Sequence, residues 1–342
     1  MGKRYIVTGG GGFVGKALAI TLRQQGHDVI SLSRSFYPEL ESLGIHSKQL
    51  DIGSDPATWG HLFKGCDGVF HTAAKVDMWG DWESFFATNV IGTRNILYAC
   101  KDNGVKRFVF TSSPSVIHDG TDLKNVDESY PYPKHFDAFY PQTKAQAEQE
   151  VLSANGQGEL RTVSLRPHLI WGPNDTNLIP TVLERARAGR LTRIGKGGNL
   201  VDLCFIDDCV RAHILAMEAL EANPQKVGGR AYFISQGEPV SLWGWIDEVL
   251  AAHGLPKVKR SISAKVAHGL AASMELISRA LSCIGIKTTP LLTRFLVSEM
   301  ATDHYFNITK AKEDLGYQPS CSIAEALRRT FSGTAGEVAG NQ

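Results

Sequence analysis

The sequence predicts an α/β protein built on a doubly wound parallel sheet, with a smaller region towards the C-terminus that faces a ligand. Short apolar runs alternate with longer helical patterns through the first half, a glycine-rich turn joins the first strand to the first helix, and the pattern loosens after about Pro167. Residues 5–8, 28–32, 68–72, 107–111 and 162–165 are rich in Val, Ile and Phe without strict alternation, as strands buried on both faces are. Residues 13–25, 82–103 and 140–154 between them read as helices, so the strands should be parallel and joined by right-handed crossovers. Past Pro167, loops at Gly172-Pro173-Asn174-Asp175 and Gly195-Lys196-Gly197-Gly198 divide the chain into shorter elements.

Composition narrows the class of function. The chain has 342 residues, enough for about two units of roughly 150 residues. Its 36 Lys and Arg against 35 Asp and Glu leave a net charge of +1, which gives no support for binding a phosphate backbone, so no nucleic-acid partner is expected. Cys66, Cys100, Cys204, Cys209, Cys283 and Cys321 are scattered, with no CxxC and no His/Cys cluster at ligand spacing; they read as reduced thiols of a cytoplasmic protein, and no metal is expected. The N-terminus runs directly into a strand, without the apolar region of a signal peptide. No stretch of about 18 apolar residues predicts a spanning helix.

The turn Thr8-Gly9-Gly10-Gly11-Gly12-Phe13-Val14-Gly15 follows a strand and opens a helix. Glycines there permit a tight turn, close approach to a pyrophosphate and close helix–strand packing, while free N–H groups at the helix start attract the anion. This is the context of a Rossmann dinucleotide site. The next strand ends Val29-Ile30-Ser31-Leu32-Ser33-Arg34 with no carboxylate at its tip for a ribose 2′-hydroxyl. Ser33 and Arg34 could instead hold a 2′-phosphate, which favours NADP(H) while admitting NAD(H). The expected division is an NADP-binding Rossmann domain over 1–170, to which some later segments return, and a mainly substrate-binding region over 171–335.

Tyr140-Pro141-Gln142-Thr143-Lys144 places a phenol and an ammonium one turn apart on a helix face, with Pro141 tolerated only in the first turn. A phenol of pKa about 10 needs such a charge to act near neutrality. Thr111-Ser112-Ser113-Pro114-Ser115 ends a strand at the carboxyl edge of the sheet, where a hydroxyl can bond a substrate carbonyl. Glycine turn, strand-end serine and Tyr-x-x-x-Lys, in this order, resemble the extended short-chain dehydrogenase/reductases over nearly the whole chain. The resemblance assigns catalysis to Ser113, Tyr140 and Lys144. It assigns cofactor contacts to Gly9, Gly12, Phe13, Val14 and Gly15 at the pyrophosphate, Asp51 and Ile52 at the adenine, Ala73, Ala74 and Lys75 along the groove, Tyr140 and Lys144 at the ribose, and Pro167 and Ile170 beside the nicotinamide. Asn89 matches a family helix residue, with internal bridging of backbone as the alternative role.

His71-Thr72-Ala73-Ala74, Asn89-Val90-Ile91-Gly92-Thr93 and Arg166-Pro167-His168-Leu169-Ile170-Trp171-Gly172-Pro173 are similar to the 3β-hydroxysteroid and sterol-4-carboxylate dehydrogenase group. Phe36-Tyr37-Pro38-Glu39-Leu40, Trp79-Gly80 and Ser113-Pro114-Ser115-Val116 resemble more closely the bacterial 2-alkyl-3-oxoalkanoate reductases of long-chain olefin biosynthesis. This implies reduction of a β-keto acid with two long alkyl arms. Oxidation of a steroid or sterol alcohol with NAD⁺ is the alternative, and a non-catalytic nucleotide sensor is disfavoured by the complete Ser113, Tyr140 and Lys144 set.

The substrate carboxylate would need a cation, for which Lys75 and His118 are weak candidates. Trp79, Trp82, Phe85 and Phe86 could pack under a loop or touch alkyl chains, and His135 and Phe139 carry the same ambiguity. Asp207-Asp208 reads as a helix N-terminal cap rather than a metal site. Val266, Leu270, Met274, Ile277, Leu281 and Ile284 fall on one helix face, expected to meet the protein's own body or a second copy, with an acyl substrate or a membrane surface as alternatives because Lys265, Arg279 and Lys287 flank it. Besides the long-chain substrate, candidate partners are thus a homodimer mate, other hydrocarbon-pathway enzymes and a peripheral membrane contact.

Overall fold

The computed structural model describes residues 2–332, so positions 333–335 of the expected substrate region lie outside the described residues. Seven strands, β1 (Arg4–Thr8), β2 (Asp28–Ser33), β3 (His46–Gln49), β4 (Gly68–His71), β5 (Arg107–Thr111), β6 (Arg161–Pro167) and β7 (Arg230–Ile234), form one sheet in the order β7-β6-β5-β4-β1-β2-β3. Every neighbouring pair is parallel. The chain reverses its direction of travel across the sheet between β1 and β4, which opens a ligand crevice at their carboxyl ends. The sequence reading did not contain β3 and β7. The edge strand β3, His-Ser-Lys-Gln, buries only Ser47 and has no apolar run to read.

Alternate strand residues feed two cores. Tyr5, Val7, Val29, Phe70 and Val109 point to one side, and Ile6, Ile30, Val69, Phe108 and Phe110 to the other. Helix α1 (Phe13–Gln24) covers the first side through Leu18, Ala19 and Leu22. The expected helix over 82–103 is three pieces: α2 (Trp82–Phe86), one π-helical turn at Ala87–Ile91, and α3 (Gly92–Asp102), whose Ile96, Leu97 and Cys100 cover the second side. Helix α4 (Phe139–Ser153) adds Ala147 and Val151 there.

Beyond β6 the chain supplies α5 (Ile206–Ala222) to the first core and β7 to the sheet edge, and its segments Val240–Ser241, Leu200–Val201 and His304–Phe306 join Leu123–Val126, from before β6, in a small four-stranded sheet. Trp171, Val201, Trp243 and Phe306 belong to the same continuous core as β1 and β5. Asp207 and Asp208 lie in the first turn of α5, but Asp208 accepts hydrogen bonds from Ser320 N–H (2.8 Å) and the Gln236 side chain (2.5 Å) instead of capping its own helix. Its role is to tie the C-terminal loop to the body. All six cysteines are free, and no helix among the described residues is long and apolar enough to cross a membrane.

Helix α6 (Ala264–Cys283) corrects an expectation. It buries Ala267, Ala271, Glu275 and Ser278, while Val266, Leu270, Ile277 and Ile284 of the apolar stripe are exposed, Ile277 by 59%. Met274 and Leu281 of that stripe are half-buried, and the described residues leave its other four members uncovered. Ile277→Glu is therefore expected to shift the melting temperature by less than about 2 °C, as surface substitutions do. A fall of several degrees would show that the face is covered in solution.

Candidate active site

The glycine turn closes against its own sheet. Gly9 has φ +69°, a conformation that glycine adopts without cost, and its N–H donates to Leu32 O at 2.7 Å. A Cβ on Gly15 would stand 2.3 Å from Gly9 O, so α1 can pack this closely only with glycine there. Gly12 is exposed and caps α1 without a side chain, leaving the first-turn N–H groups for an anion. Phe13 and Val14 begin the helix and are half-buried. Ser33 is drawn into the turn: its Oγ accepts the Gly11 N–H at 2.9 Å and the residue is 9% exposed. Of the two residues expected to meet a 2′-phosphate, Arg34 alone stands out at the strand tip, exposed and without an ion pair among the described residues.

Asp51 is exposed beyond β3, its carboxylate accepting the Gly53 N–H, and Ile52 is buried beside it. Ala73, Ala74 and Lys75 follow β4 half-buried along the crevice. Asn89 clamps them from the π turn: its Oδ1 accepts Lys75 N–H at 2.7 Å, and its Nδ2 donates to Lys75 O at 3.1 Å and Thr143 Oγ1 at 3.0 Å. The wide turn aims the amide at the loop, so Asn89 bridges backbone. Pro167 is buried at the end of β6, and Ile170 is half-buried in a short ladder with Cys204. His71, fully buried, bonds Thr8 Oγ1 at 2.6 Å and Thr93 Oγ1 at 2.9 Å; burial, with Lys144 nearby, lowers its pKa to about 3. It is a neutral strut between β1, β4 and α3.

Ser113, Tyr140 and Lys144 come together at the carboxyl edge of β5. Ser112 is buried and its backbone is bonded to β6, whereas Ser113 is half-exposed. The Ser113 Oγ accepts from Ser115 N–H at 3.2 Å and Ser115 Oγ at 2.9 Å, so its own single proton is free to be given. Ser115 is a supporting residue that sequence reading passed over, although it lies in the same serine string. Tyr140 sits in the first turn of α4 with Pro141 after it, where proline is tolerated. Burial raises the phenol to about 12, against the opposing effect of the Ser113 hydroxyl. The expected depression by Lys144 does not appear. Lys144 donates to Thr111 O at 2.6 Å and lies 4.0 Å over the Phe110 ring, and burial lowers its own pKa to about 7.

One turn further along α4, Glu148 is fully buried and accepts from Tyr132 Oη (2.8 Å), Ser164 Oγ (2.7 Å) and Arg166 Nη2 (2.6 Å). This pair bolts the helix carrying Tyr140 and Lys144 onto β6. Its members are ordinary charged residues in the sequence, and only the fold shows that they face each other inside.

Behind Tyr140, α7 (Arg294–Ala301) carries Glu299, which lies among His118, His168 and His304. Burial opposes the Glu299 charge, yet the three imidazoles hold its pKa below the usual range. His168 Nδ1 faces Asp202 O at 2.7 Å, His304 Nε2 faces Glu299 O at 2.6 Å, and the inner nitrogens are 3.1 Å apart. Carbonyl oxygens only accept, so each outer nitrogen holds a proton, and the two inner nitrogens face each other beside Glu299. One ligand atom each of His168, Glu299 and His304 lies within 4.8 Å of the others. Of the two weak candidates for a substrate carboxylate, His118 is buried with Nε2 3.7 Å from Glu299, and Lys75 is half-buried and pairs with the exposed Asp77 at 2.7 Å.

A cavity of about 610 Å³ opens beside the chain that immediately precedes Tyr140, lined there by Ala138 and Phe139. Trp79, Phe85 and Phe136 add apolar wall. Trp82 and Phe86 do not reach it; they stack on each other at 5.4 Å. His135 is exposed outside it.

Residues 6–264 match the 3-beta hydroxysteroid dehydrogenase/isomerase family. The chain is 44% identical over 335 residues to the 2-alkyl-3-oxoalkanoate reductase of Stenotrophomonas maltophilia (strain K279a), covering 97% of this chain and 99% of that one. It is 35% identical over 334 residues to the Homo sapiens sterol-4-alpha-carboxylate 3-dehydrogenase, decarboxylating, covering 96% and 87%. The solved UDP-glucose 4-epimerase of Thermotoga maritima superposes with a TM-score of 0.74 at 21% identity, over 98% of this chain and 99% of that one, a likeness of fold alone.

Proposed function

The chain belongs to the 3-beta hydroxysteroid dehydrogenase/isomerase family of nicotinamide-dependent oxidoreductases, and from that membership we propose that it reduces 2-alkyl-3-oxoalkanoic acids to 2-alkyl-3-hydroxyalkanoic acids with NADPH, in the synthesis of olefinic hydrocarbons. The observation that carries this reading is the cavity lined by Ala138 and Phe139, the two residues before Tyr140, whose aromatic residues suit alkyl arms. Similarity to a reductase of that substrate over 97% of the chain supports it.

The cofactor fits the residues present: the uncapped first-turn N–H groups that follow Gly12, the clamped loop at Ala73–Lys75 and the free Arg34 guanidinium would hold pyrophosphate, groove and 2′-phosphate. When bound, the nicotinamide supplies the hydride to the C3 carbonyl carbon. Tyr140 gives its proton to the carbonyl oxygen, and with a pKa of about 12 it is fully protonated at neutral pH. Ser113 donates a hydrogen bond to the same oxygen, keeping its proton, as negative charge develops there. Lys144, one turn along the same helix, would hold the ribose of the nicotinamide, the contact that the resemblance assigns to it. The reverse reaction on a sterol alcohol with NAD⁺ is the second reading, supported by the human relative.

The test is oxidation of a synthetic 2-alkyl-3-hydroxyalkanoic acid with NADP⁺ and NAD⁺ in parallel. Turnover with NADP⁺ preferred is expected; turnover of a 3β-hydroxysteroid but not of the hydroxy acid would replace this reading with the second. Arg34→Ala should raise KM for NADP⁺ about 10- to 100-fold and leave that for NAD⁺ unchanged, because only the former loses a charge-assisted contact. Equal changes for both cofactors would remove Arg34 from the 2′-phosphate.

A further inference from the structure

Helix α6 is turned opposite to the usual amphipathic sense. Its apolar stripe faces out, while Glu275, Ser278, Arg279 and Ser282, spaced three, four and seven residues along, face the cavity. That face meets a cavity whose aromatic residues share the lining with Lys287, Thr288, Thr289 and Arg294, so the cavity can take a polar ligand group beside apolar arms.

The charges of that wall are unevenly matched. Glu275 is occupied by Arg294, accepting its N–H at 2.7 Å and its Nε at 2.8 Å, and Asp137 lies 3.8 Å from the same guanidinium. Asp81 accepts the Ser84 N–H as the cap of α2. Arg279 pairs with no acid among the described residues, and its guanidinium lies over the Trp79 ring at 5.6 Å. Stacking holds the planar group in place while leaving its donor edge free for a second planar group.

We propose that Arg279, steadied by Trp79, is the anchor for the substrate carboxylate, and that the aromatic walls of the same cavity take the alkyl arms. This rests on the reading of the chain as a reductase of 2-alkyl-3-oxo acids. In such an acid a single carbon separates the carboxylate from the reacting ketone, so the anchor must lie near Tyr140, and Arg279 lines the same cavity as Ala138 and Phe139, the two residues before that tyrosine. A guanidinium binds a carboxylate through two parallel hydrogen bonds, which fixes the orientation of the ketone as well as adding affinity. A neutral ester of the same shape gains nothing from the group.

The test separates binding from turnover. The probe is 2-hexyldecanoate, which has the carboxylate and two alkyl arms but no 3-oxygen, titrated calorimetrically into NADP⁺-loaded protein. Arg279→Met should weaken its binding at least 10-fold, Arg279→Lys should recover part of the loss, and the methyl ester should bind all three proteins alike. With the hydroxy acid as substrate, KM should rise more than kcat falls. Unchanged binding of the acid by a folded Arg279→Met protein overturns the anchor, whatever the turnover. If the variant does not fold, a wild-type protein that binds the ester as tightly as the acid overturns it equally. A wild-type protein that binds 2-hexyldecanoate through Arg279 but oxidises no hydroxy acid keeps the carboxylate site and sinks the reductase reading instead.

Discussion

Tyr140→Phe is expected to lower kcat by about 10²- to 10⁴-fold while leaving NADPH affinity within about twofold. The ring stays, so the packing of the first turn of α4 is retained; only the proton donor is removed. The phenol is held protonated by burial, and the Ser113 hydroxyl beside it can polarise the carbonyl but cannot replace the proton. Fluorescence titration with NADPH alongside steady-state turnover checks the two halves of the expectation. Wild-type turnover in the variant would remove Tyr140 from the chemistry, and loss of nucleotide binding would make it a structural residue of the crevice.

Glu148→Leu should cost about 3–5 kcal/mol, a fall in melting temperature on the order of 10 °C, because Arg166 would be left charged and buried without its partner. Arg166 is 3% exposed and Glu148 fully buried. The double variant Glu148→Leu, Arg166→Met should recover much of the loss, since well-packed apolar replacements of a buried pair are often tolerated. If the single variant melts as the wild type does, the ion pair contributes nothing to the fold. The pH dependence has a definite sign. Burial opposes the charge of Glu148, but Arg166, Ser164 and Tyr132 together hold its pKa below the ordinary 4.5. A carboxylate depressed on folding adds stability above that ordinary value and loses it as pH falls through the lower folded value. The wild type should therefore lose stability on acidification more steeply than the double variant. The same change should also reduce turnover, because Glu148 fixes the helix that presents Tyr140 and Lys144.

Much of the scaffold could be read from local pattern. The strand at 107–111 matches its observed bounds, and the helix starting at Phe13 ends one residue from where periodicity ends it. The break of the 82–103 helix into a π turn had no local sign, because the cause is the tertiary demand on Asn89 to reach Lys75 and Thr143. At the site, Ser113, Tyr140 and Lys144 were legible because each lies at a fixed offset from a strand end or a helix start. Ser33 was legible from its position at the strand tip, while the Gly11 N–H that its oxygen accepts, leaving its own proton to give, was not.

By itself the sequence determined which residues share a strand, a turn or a helix face, and so it set the parallel α/β frame, the glycine turn and the spacing of Tyr140 to Lys144. Those are consequences of backbone geometry, which repeats with a fixed period and needs no knowledge of distant chain. Only the tertiary structure decided what each face meets. It turned the apolar stripe of α6 outward and its Arg279 face towards the cavity, brought Glu148 against Arg166, and surrounded Glu299 with three histidines from separate segments. Periodicity assigns residues to a face, whereas the neighbour that the face finds depends on how elements far apart in the chain pack together.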